Sequence, residues 1–580
     1  MKKLFSGVLA IVLALALIIP GKTVSAADYT GKTVILHTND IHGEVSGYGY
    51  AMALRDKYEA KGAEVILVDA GDFSQGSIYV NVSKGYNAVS LMNEADYDVV
   101  AFGNHEFDYG FDALKANLED AEFVAICSDI FEGGKTIADA NTIYTTASGL
   151  KVGFFAMDTP ETQTKVNPGL ISTLTFATGD KFYEVAAEQV AELKKNGADL
   201  VVCIAHLGVD AESAPYRSTD LYAKVKGIDF IIDGHSHTVM TKGEGGEPIQ
   251  STGTKFENIG VVIIDNKTKK IESNELIATA DLKKDSDVKE LSDAIIEEMD
   301  ALYGAKFAES EVELNGDKAP GNRNMETNLG DLITDSMVWQ VMKDPSAVKV
   351  DAANVVAITN GGGIRAWLHA GDLTMKDVNT VLPFGNTIAL VYVSGAELLE
   401  ALEASTYCTP GAVGGFPQVS GIQYTVDTEK EFKANAETYP GSTYYGPAKI
   451  KRVTIDSING KAFDKDATYA VITNNFCAAG GDTYYAFAAA KDQFDTSIPM
   501  DEALMNYITE ELGGKIGAKY AEPAGRIIVL GDGVEEAAPA APATPELPKT
   551  GTVSVALCYA LGSMLMAGGA FVTRKSRKED

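Results

Sequence analysis

The stretch AFGNHEFDYG, residues 101–110, sets Asn104, His105, Glu106 and Asp108 directly behind an apolar run, with a glycine on either side. The same arrangement recurs through the first half of the chain. KTVIL leads to HTNDIHG, EVILVD to AGDFSQGS, DVVAFG to NHEFD, DLVVCIA to HLG, and DFIID to GHSHT. Helix-like stretches such as GYNAVSLMNEAD and YEVAAEQVAELKKNG lie between several of these runs. Short buried strands alternating with helices predict a layered α/β domain, a sandwich of sheets flanked by helices. In such sheets ligands collect beyond the carboxyl ends of the strands. Every polar cluster falls at that end of its run, so clusters far apart in sequence can converge in space.

The 580 residues are too many for one core, and two domains plus processing segments are expected. With 46% hydrophobic and 22% charged residues, the composition is that of a globular protein. Residues 1–26 read as a secretory signal: Lys2 and Lys3 precede an apolar run, and VSA offers a small-residue cleavage site after Ala26. At the other end LPKTG (547–551) precedes an apolar run long enough to span a bilayer and the basic tail TRKSRKED. That order resembles the sorting signal of Gram-positive wall-anchored proteins. The resemblance implies sortase cleavage between Thr550 and Gly551, transfer of Thr550 to peptidoglycan, and display on the cell wall. The formal charge is −32, and it becomes more negative once both ends are removed, which argues against nucleic-acid partners. Five cysteines are no disulfide framework; Cys408 and Cys477 are the one pair considered, and it is not expected to form.

The helix-like stretch 286–304 separates two unlike halves and reads as a connector. The expected organisation is a metal-binding domain at 28–280, a linker region at 281–311, a second α/β domain at 312–531, a Pro/Ala-rich spacer at 532–546 and the sorting signal at 547–580. The second domain has its own strands, NVVAITN, TIALVYVSG and TYAVITN, and its own helices, NLGDLITDSMVWQVM and GAELLEALEAS.

Five of the seven histidines recur beside carboxylate or amide groups at the strand ends of the first half: His42, His105, His206, His235 and His237. They sit beside Asp40, Asp72 and Asn104, and imidazole with carboxylate suits Zn, Mn, Fe and similar divalent ions. The motifs NDIHG, GDFSQGS, GNHEFD, AHLG and GHSH, in this order and spacing, resemble the calcineurin-like metallophosphoesterases. Within them the chain is most similar to the secreted 5′-nucleotidase and UDP-sugar hydrolase group. The resemblance implies two divalent metal ions, one held by Asp40, His42, Asp72 and His237, the other by Asp72, Asn104, His206 and His235, with Asp72 bridging. Relatives carry Gln, Asn or His at the position of His237. His105, oriented by Asp108, would form a catalytic dyad.

In the second half TNGGGIRAW and NRNMETNLGD resemble segments that supply substrate-binding Arg365, Asn360 and Arg323. Phe416, in GGFPQVSGIQY, and Phe476, in NNFCAAGGDTYYAF, would sandwich a base, with Asp482 on the nucleoside. Some relatives have a further basic residue where this chain has Met325 and Glu326. The implied activity is hydrolysis of nucleoside 5′-phosphates, extending to di- and triphosphates or UDP-sugars, with the two domains meeting by hinge rotation. The rival activity is that of the 2′,3′-cyclic-nucleotide phosphodiesterase/3′-nucleotidases, from which NNFCAAGGD departs. A wall-displayed adhesin on an inactive phosphatase fold is the reading from another class, and the intact ligand set speaks against it.

Overall fold

The computed structural model describes residues 28–531. The signal, the spacer, the sorting motif and the expected membrane span therefore lie outside the described residues. Among the described residues no helix is long and apolar enough to cross a membrane.

The first half builds two six-stranded sheets packed face to face. One runs Lys270–Ala278, Asn258–Asp265, Lys32–Thr38, Glu64–Asp69, Val99–Ala101 and Val124–Ile126 from edge to edge. The other runs Val239–Met240, Ile249–Thr252, Phe230–Asp233, Leu200–His206, Lys151–Asp158 and Asn141–Thr145. The strands quoted above are parallel neighbours: Lys32–Thr38 pairs with Glu64–Asp69 in the register Leu36↔Leu67, and Leu200–His206 pairs with Phe230–Asp233. Parallel strands covered on both faces read as unbroken β-branched runs rather than alternating ones. Ile35, Val68, Phe154, Ile204, Ile232 and Val262 form the dry layer between the two sheets. Helices Tyr48–Glu59, Tyr86–Glu94 and Ser286–Tyr303 cover the outside of the first sheet. Asp180–Lys195 and Ser218–Lys224 cover the second. The result is a four-layer α/β/β/α stack whose parallel strands end on one rim.

The second half is a separate mixed sheet, ordered Pro417–Ser420, Val355–Asn360, Thr468–Asn474, Thr387–Ser394 and Gln493–Pro499. Helices Asn328–Met342 and Gly395–Ser405 sit on opposite faces, each within its own core cluster. Both begin as their sequences dictate. Thr327 caps the first through Gly330 N–H, and Ser394 and Glu397 form a capping box on the second. The strands Val355–Asn360 and Thr468–Asn474 are parallel, so Asn360 and the Asn475–Phe476 turn emerge side by side.

Ser286–Tyr303, read as a connector, packs its buried face (Val288, Ile295, Met299) on the first domain. Its far end meets the second domain through Asp300 and Lys376, Oδ1 to Nζ 2.8 Å. Cys408 and Cys477 form no disulfide with each other.

Phe154 is fully buried at the centre of the sandwich. Phe154→Ala should cost about 3–5 kcal/mol of stability, read as a lowered urea midpoint for the first domain's transition.

Candidate active site

The rim gathers the strand-end clusters. Asp40, His42 and His237 each bring one donor atom within 4.8 Å of the others, and Asp40, Asp72 and His206 do the same. Asp72 Oδ2 faces both sets, 3.7 Å from His42 Nε2 and 3.1 Å from His206 Nε2. Asn104 Oδ1 lies 2.9 Å from His235 Nδ1. All seven residues expected to hold metal thus stand around one point, although they come from five strand ends.

Local backbone geometry explains how. Asp40, His42, Asp72, His235 and His237 all have left-handed φ, between 46° and 74°. Non-glycine residues take this conformation at a cost and concentrate in functional sites when they do. Two glycines make the room. A Cβ on Gly103 would lie 2.5 Å from Asp72 Oδ1 and 2.6 Å from the His206 ring, and one on Gly71, where φ is +89°, would lie 2.3 Å from Gly103 N.

Outer partners fix the ligand side chains. Glu106, buried, accepts hydrogen bonds from the backbone N–H groups of Asp72 (2.7 Å), Phe73 (2.9 Å), Ser74 (3.1 Å) and Gly103 (2.7 Å). It therefore clamps two ligand loops together. His206 Nδ1 lies 2.7 Å from Ala70 O, so this nitrogen is a donor and Nε2 is the one left facing Asp72. His42 Nδ1 lies 3.3 Å from Gln75 O, and its Nε2 faces His237 Nε2 at 3.0 Å. Asn39 donates to Asp40 Oδ2.

The electrostatics call for a cation. Burial pushes Asp40 up to about 7 against the pull of His206. Burial would also raise Asp72, but His206 and His105 outweigh it and hold its carboxyl well below the usual range. Burial disfavours a charged His206, yet Asp72 and Asp40 overcome that and draw its pKa well above normal. The two carboxylates thus pull positive charge to the point where His206 Nε2 sits without a hydrogen-bond partner. A carboxylate and imidazole set of this kind fits a divalent ion.

Beside this cluster, His105 Nδ1 and Asp108 Oδ2 are 2.7 Å apart. Burial pushes His105 down to about 3 and pushes Asp108 well up, so the pair avoids separated charges. The ring of Phe384, from the second domain, stacks on His105 with centroids 5.5 Å apart.

The two domains enclose a cavity of about 690 Å³. Arg323, Asn360, Arg365, Phe476 and Asp482 line it from the second domain. Burial, then the neighbouring Arg323, push Arg365 down to about 10. Neither guanidinium has a carboxylate within salt-bridge distance among the described residues. Asn360 Nδ2 donates to Asp482 Oδ2 at 3.0 Å. One expected residue is not there. Phe416 is fully buried in its domain's core and does not reach the cavity. It immediately precedes the strand Pro417–Ser420, its carbonyl accepts from Gly361 N–H at 2.7 Å, and its ring packs in the core cluster. The other phenylalanine that lines the cavity is Phe384, with the Arg365 guanidinium 5.6 Å from its ring centroid. Its signal was the Gly-containing loop PFGN. Glu161, whose Oε2 lies 3.2 Å from His235 Nε2, was missed as well. It belongs to DTPET, a strand-end cluster like the others but without a histidine.

Residues 33–239 match the family described as calcineurin-like phosphoesterase, residues 306–489 the 5′-nucleotidase C-terminal domain, and residues 539–580 the LPXTG cell wall anchor motif. The chain belongs to the metallophosphoesterases of the 5′-nucleotidase family. It is a wall-anchored surface protein by the same evidence. It is 30% identical over 536 residues to the trifunctional nucleotide phosphoesterase protein YfkN of Bacillus subtilis, covering 84% of this chain but only about a third (34%) of that relative. It is 28% identical over 561 residues to a 5′-nucleotidase of Vibrio cholerae, covering 87% of this chain and 94% of the relative. The crystal structure of a 5′-nucleotidase precursor from Thermus thermophilus superposes with a TM-score of 0.71 at 28% identity, covering 86% of this chain and all of that one. Calcineurin-like phosphoesterases use divalent metals, and the cluster on the rim has the donors for them.

Replacing Glu106 with Gln removes one acceptor oxygen from the clamp on the Asp72 and Asn104 loops. Glu106→Gln should weaken metal retention about 10–100-fold while leaving the unfolding midpoint of the second domain unchanged, as measured by metal competition with a chromogenic chelator.

Proposed function

We propose that this protein is an extracellular dimetal 5′-nucleotidase that converts nucleoside 5′-phosphates to nucleoside and phosphate. The observation that carries the reading is the shared cavity: a carboxylate and imidazole cluster on one wall, and on the other two phenylalanines and two arginines with no carboxylate in salt-bridge distance among the described residues. A phosphate needs the first and the arginines. A flat base needs the aromatic faces.

In this reading Asp40, His42, Asp72 and His237 hold one ion, and Asp72, Asn104, His206 and His235 hold the second. Bound divalent ions would supply an acidified water, a clamp on phosphate oxygens and charge compensation for in-line displacement. The protein's own groups do the rest. Arg365 and Arg323 meet the phosphate from the second domain, where no carboxylate competes for them. A protonated Asp108 donates to His105 Nδ1, so Nε2 carries the ring proton toward the leaving oxygen, and Nδ1 takes the Asp108 proton as Nε2 gives its own away. Phe476 offers the base an aromatic face, with Asp482 and Asn360 on the nucleoside, while Phe384, against His105 and Arg365, borders the phosphate end. Closure of the domains excludes water from these contacts. Di- and triphosphates and UDP-sugars are further candidate substrates of the same cavity. Sortase transfer at Thr550 would place the enzyme on peptidoglycan.

A panel of AMP, ATP, UDP-glucose and 2′,3′-cyclic AMP tests the assignment on the purified protein. Release of phosphate and adenosine from AMP is expected; cleavage of the cyclic ester with AMP left intact would move the protein to the cyclic-nucleotide group. His105→Asn should lower kcat about 10²–10⁴-fold with metal content unchanged. Chelation should abolish turnover and Zn or Mn restore it, with metal affinity falling as the medium is acidified, because protons compete for the carboxylates and imidazoles.

A further inference from the structure

The short helix Thr162–Lys165 follows the strand Lys151–Asp158 and stands on the boundary between the domains. Its two ends touch different parts of the proposed machinery. At one end Glu161 Oε2 lies 3.2 Å from His235 Nε2, a member of the metal cluster. At the other, Lys165 Nζ lies 3.8 Å from Asp482 Oδ1, across the boundary, and 3.8 Å from Glu161 Oε2 on its own helix. The backbone joins the same two partners, since Asp482 N–H donates to Thr164 O at 2.7 Å. Lys165 also lies over the ring of Tyr444, 5.7 Å from its centroid, and lines the cavity. Asp482 itself is held in the left-handed conformation, with φ 51°.

We propose that Lys165 is a positioning and specificity-determining residue, the cation through which engagement of a nucleoside at Asp482 is coupled to His235. The proposal rests on the 5′-nucleotidase reading for the role of Asp482. Its physical basis is charge. Two nearly dry carboxylates, Glu161 from one domain and Asp482 from the other, approach a common point. Like charges in such a setting repel strongly unless a cation stands between them. Lys165 occupies that place, so the closed contact between this helix and the second domain depends on it. Glu161, held by the same ammonium, is thereby kept against the His235 imidazole. A phosphate ester with no nucleoside makes no contact at Asp482 and loses only what closure gives its phosphate. A nucleotide loses that and its seat at Asp482 as well.

The test compares Lys165→Met, which keeps the stem and removes the charge, with Lys165→Arg, which keeps the charge. Each is assayed on AMP and on p-nitrophenyl phosphate in the metal-loaded protein. For Lys165→Met the ratio of kcat/KM on AMP to that on p-nitrophenyl phosphate should fall at least tenfold, with the larger part of the loss in kcat, and Lys165→Arg should restore most of it. Solution scattering with adenosine present should show an expanded particle for Lys165→Met alone. Equal losses on both substrates, or an unchanged ratio, would overturn the proposal. Should the wild-type protein cleave p-nitrophenyl phosphate but not AMP, the nucleotidase reading fails instead. Scattering then decides on the link by itself: an expanded Lys165→Met particle upholds it and an unchanged one removes it.

Discussion

The whole arrangement depends on one buried carboxylate. Asp72 is fixed at the end of its strand in a left-handed conformation and faces imidazoles on two sides. Its own N–H and those of its neighbours are tied to Glu106. An isolated carboxylate there would be expelled or protonated. It stays ionised because histidines from distant loops surround it, and those loops arrive because the parallel strands all end on one rim. The sandwich core, the two glycines and the Glu106 clamp are what hold that convergence against the repulsion of Asp40 and Asp72.

Much of this was legible in the chain. The strands EVILVD and TYAVITN and the helices NLGDLITDSMVWQVM and GAELLEALEAS occupy the residues that their patterns marked. Buried parallel strands give unbroken β-branched runs, and capping residues mark helix starts, so these elements carry local signals. The seven expected ligand residues stood out for a different reason: histidine is scarce here, it repeats at strand ends, and the motifs around it resemble those of a metallophosphoesterase. What failed was orientation. Phe416 and Phe384 both lie in Gly-containing loops, and only tertiary packing decides that one ring enters the core while the other faces the cavity. Glu161 and Lys165 were invisible because their meaning arises between domains, with Asp482 more than 300 positions away.

Charge is organised on two scales. The chain as a whole is strongly acidic, with 81 acidic against 49 basic residues. Inside the cavity the balance reverses locally, through Arg323 and Arg365, which have no carboxylate within salt-bridge distance among the described residues, and through a cluster suited to cations. In the proposed reaction a phosphate ester would meet repulsion at a distance and attraction only at the mouth, where low dielectric and short range make the local charges dominate. Such an arrangement would favour small diffusing anions over extended polyanions.

The last described strand, Ile527–Leu530, is paired into a sheet of the second domain with Ile422–Asp427, and the spacer and anchor motif follow it directly. On the proposed function, the half tethered to the anchor motif is therefore the one that receives the nucleoside. It would serve as a stator, and the half with the carboxylate and imidazole cluster would be the part that swings.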